Sequence, residues 1–238
     1  LRDANKLDAT RNRILDKEII EMEHSGISLN ESDQKDYNKI SERLGELSTK
    51  FSNNVLDATN KWHLILDNKS QVKGLPERVL ELMALSAQRH LKKDGDIDSQ
   101  SGPWKLSLDI PTYTAFMSYA EDSSLREKLY KAFVSRASEG DENNSQIIEE
   151  ILSLRTKQAK LLGYDSWADL SLSTKMAGKI DSVEKLLEEL REPSFKAAEL
   201  ELENLNNFAH KNGFNVNNQL KPWDISCLLY TSDAADEH

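Results

Sequence analysis

The stretch 37-YNKISERLGELSTKF-51 decides the fold. Its bulky apolar residues, Tyr37, Ile40, Leu44, Leu47 and Phe51, step by three, four, three and four positions. On a helix of about 3.6 residues per turn that spacing gathers them on one face. The residues between are charged, polar or glycine, so the pattern predicts an amphipathic helix with an a/d-type seam. A seam of this kind must pack on another helix. Upstream, Asn30 is placed to cap the helix, with Asp33 three residues on. Residues 1–25 carry Leu7, Ile14, Leu15, Ile19 and Met22 near one face of a further helix, which Ser25-Gly26 ends. The link 27-ISLN-30 is short enough to make the two helices antiparallel neighbours. The other use of the seam is to bind a separate helix, which would make the chain a non-catalytic helical interaction module. At this seam length the intramolecular hairpin is the better-supported reading.

Downstream, the period changes at Trp62. The segment 62-WHLILD-67 is bulky and β-branched, and 104-WKLSLDI-110 alternates Trp104, Leu106, Leu108 and Ile110. Two-residue alternation marks a strand, so the two pieces predict a small antiparallel β-ribbon. Between them Pro76 stands in the first turn of a helix reaching about Leu91, and 92-KKDGDIDSQSGP-103 is a polar loop. From Pro111 on, the pattern is helical again. One short helix is 112-TYTAFMSYA-120, and Ser124 with Glu127 fits a capping box for the next, whose inward residues are Leu125, Leu129 and Phe133. In 145-SQIIEEILSLRTKQAKLLG-163, Ile147, Ile151, Leu154, Gln158 and Leu161 fall in register before Gly163. A short helical turn at 165-DSWADLSL-172 follows. Asp181 and Glu184 open a long acidic helix running to Asn212-Gly213, and Pro193 inside it is expected to kink or split it. The expected fold class is mainly α, with one small antiparallel β-ribbon. No repeat or low-complexity linker interrupts it, so the chain reads as one continuous helical layer system.

The bulk charge narrows the partners. Acidic residues outnumber basic ones by 41 to 31, for a net charge of -10, which argues against a nucleic-acid backbone as partner. No apolar run reaches the ~20 residues of a membrane helix. The opening 1-LRDANKLDATRNR-13 has no apolar core of a signal peptide. It begins inside a helical pattern and without Met, so more chain is expected upstream. A single cysteine forms no intramolecular disulfide, which favours a cytoplasmic setting.

Reactive constellations are sparse. The histidines are His24, His63, His90, His210 and His238, and none sits in an H-E-x-x-H arrangement. His24 and His210 lie near helix C-termini, where the helix dipole favours them. His63, next to Trp62, is expected to be exposed rather than ligating. Cys227 has neither a helix start nor an evident His partner to activate it. There is no G-x-S-x-G and no glycine-rich phosphate loop. Glu149-Glu150 and Glu188-Glu189 are adjacent pairs that point in different directions on a helix. From the residues alone the chain offers no catalytic residue and no metal ligand, and its substrate-binding residues stay unassigned.

Four longer blocks are more specific than any single pattern. They are LSTKFSNNVLDATNKW (47–62), GPWKLSLDIPTYTAFMSYAEDSSLREKLYKAFVSRAS (102–138), NSQIIEEILSLRTKQAKLLGYDSWADLSLSTKMA (144–177) and LKPWDI (220–225). In order and spacing they resemble the oligopeptidase A / thimet oligopeptidase family of zinc metallopeptidases, from about residue 8 to Ile225. The resemblance implies an almost wholly helical, two-lobed enzyme that hydrolyses short peptides in a deep channel. It implies a zinc ion on an H-E-x-x-H helix with a downstream Glu, whose bound water the motif's Glu deprotonates, and a later Tyr and His pair stabilising the oxyanion. Those residues would lie beyond the W-D-I motif. On this reading residues 1–226 are a partial N-terminal helical lobe, inactive alone, and the missing catalytic lobe is its intramolecular partner.

The tail departs from the family pattern. The residues 227-CLLYTSDAADE-237 read as the one-frame translation of a transposase sequencing adapter. Residues 227–238 are therefore expected to be an artefact with few buried contacts, and Glu237-His238 is not to be read as half of a zinc motif.

Overall fold

A computed structural model describes residues 8–92, 98–213 and 219–236, the last four by backbone alone. Leu7, the 93–97 part of the polar loop, Glu237 and His238 lie outside the described residues. The described chain is mainly α, with one two-stranded sheet. In order come α1 (Ala9–His24), α2 (Glu31–Lys61), β1 (His63–Leu66), α3 (Glu77–Leu91), β2 (Trp104–Ser107) and α4 (Ile110–Tyr119). Then follow α5 (Ser123–Val134), α6 (Ser145–Leu161), α7 (Trp167–Leu172), α8 (Ile180–Lys211) and α9 (Pro222–Asp236).

The chain divides into two compact units, which differs from the single layer system expected. The first takes residues 1–52 and 144–194, the second 53–143 and 195–238. Two of the three boundaries fall where helical residues continue, in α2 and just past Pro193 in α8, and only the one at Asn143-Asn144 falls in a loop. Pro193 does not split α8. Proline removes one backbone donor, and the rest of this 32-residue helix keeps its ladder.

In the first unit the seam is packed internally. Leu47 is buried and Tyr37, Ile40 and Leu44 are half-buried, while Phe51 is partly exposed. Asn30 caps α2, its Oδ1 accepting from the Asp33 amide at 3.0 Å. The Tyr37 hydroxyl donates to the His24 carbonyl at 2.6 Å, which ties the start of α2 to the end of α1. Further bonds to this helix come from α6 and from Asn144, the N-cap residue of α6. Gln158 Nε2 donates to Ser41 Oγ at 3.0 Å, and buried Asn144 Nδ2 donates to the Phe51 carbonyl at 3.1 Å. Arg43 holds Glu150 through two bonds, 2.6 and 3.0 Å. By contrast α1 buries no residue, and Ile14 and Met22 are exposed.

In the second unit the ribbon forms, but the strand from Trp104 stops at Ser107, and Ile110, expected to continue the alternation, is exposed in the first turn of α4. β1 and β2 pair antiparallel, with His63 opposite Ser107 and Leu66 opposite Trp104. Side chains of a strand alternate between faces, so Trp104 and Leu106 enter the core while Lys105 and Ser107 stay half-exposed. Leu66, Met83, Ala84, Phe116, Met117 and Leu129 complete the centre of that core, drawn from β1, α3, α4 and α5. The cap of α5 is Asp122, not Ser124. Its Oδ1 accepts from the amides of Ser124 and Leu125 at 3.0 and 3.1 Å. A carboxylate at the N-cap outcompetes the capping box because it is a charged acceptor at the positive end of the helix. Glu127 instead pairs with Lys131.

The turn before α3 is pinned against α4. Glu121 N–H donates to the Lys73 carbonyl at 3.0 Å, and Lys73 Nζ reaches Glu121 at 2.8 Å. Gly74 between them has φ +89°, and a Cβ there would meet the Tyr119 carbonyl oxygen at 2.2 Å. A side chain is excluded twice, by the left-handed backbone and by a rigid neighbour. Gly74→Ala is expected to lower unfolding stability by at least ~2 kcal/mol, read from the urea midpoint. An unchanged midpoint would mean the turn opens freely.

Candidate functional site

The second unit carries a hollow of about 620 Å³ where the end of α2, β1 and the chain after α5 converge. Its wall includes Trp62, Leu108 and the polar side chains Lys61, His63, Arg136 and Glu142. α2 runs out at Lys61, which sets Lys61 and Trp62 at the rim. Lys61 Nζ donates to both Glu142 oxygens, at 3.0 and 3.3 Å. That bond holds the Glu142 carboxyl below, and the Lys61 ammonium above, its ordinary range. The pair is exposed, so it positions the loop more than it stabilises it. The Arg136 guanidinium lies 3.7 Å over the Phe133 ring, and its Nε donates to the Phe133 carbonyl at 2.9 Å. Next to it Ala137 is buried with φ +53°, a strained conformation for a residue with a Cβ.

The hollow's one hydroxyl from serine, Ser135 Oγ, is spent on the Lys131 carbonyl at 2.7 Å. A second hollow of about 640 Å³ lies in the first unit, where Asp36, Lys39 and Ile40 of α2 face Leu154, Lys157 and Leu161 of α6. It too has no nucleophile with a base beside it.

The histidines are placed as follows. His24 Nε2 is 2.8 Å from the Tyr164 hydroxyl, a contact across the first unit that its position at a helix end did not foretell. His210 is exposed in the last turn of α8. His63 is half-buried on β1 and its ring lies 4.1 Å from that of His90, the penultimate residue of α3. Burial, His63 and Lys105 together hold His90 below the ordinary histidine range. Nothing in the sequence linked these two residues. Among the described residues no three His, Cys, Asp or Glu side chains gather to hold a metal ion. The donor set of a zinc peptidase therefore does not fit onto the described part of this chain.

The W-D-I motif sits at the start of α9 and is anchored from α5. Arg126, 1% exposed, donates to the Trp223 carbonyl at 2.9 Å, the Ala120 carbonyl at 2.6 Å and Asp224 Oδ1 at 2.7 Å. Ser123 Oγ donates to the same Asp224 oxygen at 2.9 Å. α9 carries on through Cys227 and Leu228, both buried, and the Tyr230 ring meets Tyr119 at 4.5 Å. This corrects the expectation of few buried contacts past residue 226. Helical phase from the Asp224 anchor brings positions three and four residues on to the same face, and there Leu228 joins Leu205 and Ala209. Leu229 and Tyr230 remain about half exposed.

No helix among the described residues is long and apolar enough to cross a membrane. The sequence model of Peptidase family M3 matches residues 116–234, and the match continues past Cys227. The chain is 41% identical over 224 residues to "Probable cytosolic oligopeptidase A" of Arabidopsis thaliana, covering 94% of this chain and 32% of that protein. It is 39% identical to "Oligopeptidase A" of Haemophilus influenzae over 90% of this chain and 30% of the relative. To "Oligopeptidase A" of Escherichia coli it is 37% identical over 98% of this chain and 33% of the relative. The chain thus spans about a third of the length of the curated relatives it matches.

Proposed function

The chain belongs to peptidase family M3, and on that premise we propose that it is part of the helical lobe of a zinc-dependent endo-oligopeptidase acting on short peptides. The observation that carries this reading is the family match, together with identities of 37–41% to oligopeptidases A across nearly all of this chain. In this proposal residues 1–226 form a wall of the peptide channel and residues 227–238 are adapter-encoded. The zinc ion, when bound, supplies an activated water for amide hydrolysis. Its ligands belong to sequence other than this chain. The catalytic lobe that carries them is this lobe's intramolecular partner. A cytoplasmic setting belongs to the same proposal, supported by a chain that needs no disulfide.

A quenched fluorescent peptide assay on this chain with added zinc tests it. No turnover is expected. Turnover by this chain alone would overturn the claim that the chemistry lies elsewhere. Sequencing the uninterrupted gene supplies the second readout: an H-E-x-x-H helix downstream of the W-D-I motif is expected, and its absence would remove the zinc assignment.

A further inference from the structure

We propose that His63 and His90 form a surface site for a late first-row divalent transition metal ion, distinct from any catalytic zinc. The two rings are 4.1 Å apart at their centres and inclined at 62°. Two imidazoles sharing one ion, each nitrogen about 2.1 Å from it, have ring centres roughly 4.5–5 Å apart. The observed separation lies within 1 Å of that range, and His90 is exposed.

One ring nitrogen of His63 is already committed to the backbone. Its Nδ1 lies 3.1 Å from the Lys61 carbonyl oxygen. A carbonyl only accepts, so Nδ1 carries the proton and Nε2 keeps the lone pair. A ring N–H bonded to a backbone carbonyl is the usual support behind a metal-ligating histidine, because it fixes the tautomer and the ring plane. The backbone separates the two ligands by one strand and one helix. The ion would therefore clip the end of α3 to β1.

Two protein ligands leave the remaining positions to water, which suits imidazole-preferring ions such as nickel and excludes magnesium, an oxygen-seeking ion. The neighbouring Lys105 ammonium opposes a second cation. Its charge makes the site weaker than bare geometry would give.

Calorimetric titration of the untagged chain with Ni2+ at neutral pH tests the site. One ion per chain is expected, with no heat from Mg2+. His63→Gln and His90→Gln should each weaken binding at least tenfold, His210→Gln should leave it unchanged, and Lys105→Gln should tighten it. Circular dichroism melts of the variants are expected to show that they remain folded. Failure to bind Ni2+, or binding that survives both His63→Gln and His90→Gln, would overturn the proposal. It stands or falls independently of peptidase activity.

Discussion

Replacing Arg126 by alanine is expected to destabilise the second unit by about 3–5 kcal/mol, the range for removing one partner of a buried ion pair. The guanidinium is 1% exposed and serves three acceptors at once, the Trp223 and Ala120 carbonyls and the Asp224 carboxylate. Alanine leaves a cavity, takes a donor from two carbonyls and leaves Asp224, itself only 13% exposed, without its counter-charge. Lysine cannot repair this, because one ammonium lacks the planar fork that reaches three acceptors. Arg126→Lys should recover less than half of the loss. Tryptophan fluorescence through a urea titration measures it well, since Trp62, Trp104 and Trp223 all belong to this unit. A loss below ~1 kcal/mol, in the range of an exposed pair, would mean that the anchor is dispensable and α9 is held by its apolar contacts alone.

Trp104→Ala is expected to cost a further large amount, about 3–5 kcal/mol as for other buried Trp truncations. The indole is 1% exposed at the centre of the core, and its Nε1–H donates to the Ser99 carbonyl at 2.8 Å. Gly102 makes room for it: a Cβ there, at φ +72°, would sit 2.7 Å from the indole ring. Trp104→Phe separates the two contributions, keeping much of the volume and losing the hydrogen bond. It should cost about 1–2 kcal/mol. Circular dichroism at 222 nm follows both variants without relying on the deleted fluorophore. Equal losses for Phe and Ala would show that the hydrogen bond, rather than packing, dominates.

Some of this molecule was legible in its residues. The seam at 37–51 and the register from Ile147 to Leu161 reappear as the helices they predicted, and the alternation from Trp104 reappears as a strand only as far as Ser107, because Ile110 already opens α4. Helix and strand periods are properties of the local backbone, so a local pattern suffices to read them. The cap of α5 was misread because Ser124 and Asp122 both satisfy local cap chemistry, and only the geometry of the turn chose between them. The four family blocks identified the relatives, because order and spacing over most of a chain carry far more information than any one motif.

The partners were not legible. The residues at 37–51 determined a helix with an apolar face, and the fold decided that α6, over a hundred residues on, bonds to it through Glu150 and Gln158. The motif at 220–225 gave no reason for its Trp-Asp pair until Arg126 was found beneath it. His63 and His90 became neighbours, and Lys61 and Glu142 a pair, only because the ribbon and the α5 loop fold back on α2 and α3. A helix face states that it must be covered. Which surface covers it depends on shape and charge brought together from distant parts of the chain, and that is settled only when the chain has packed.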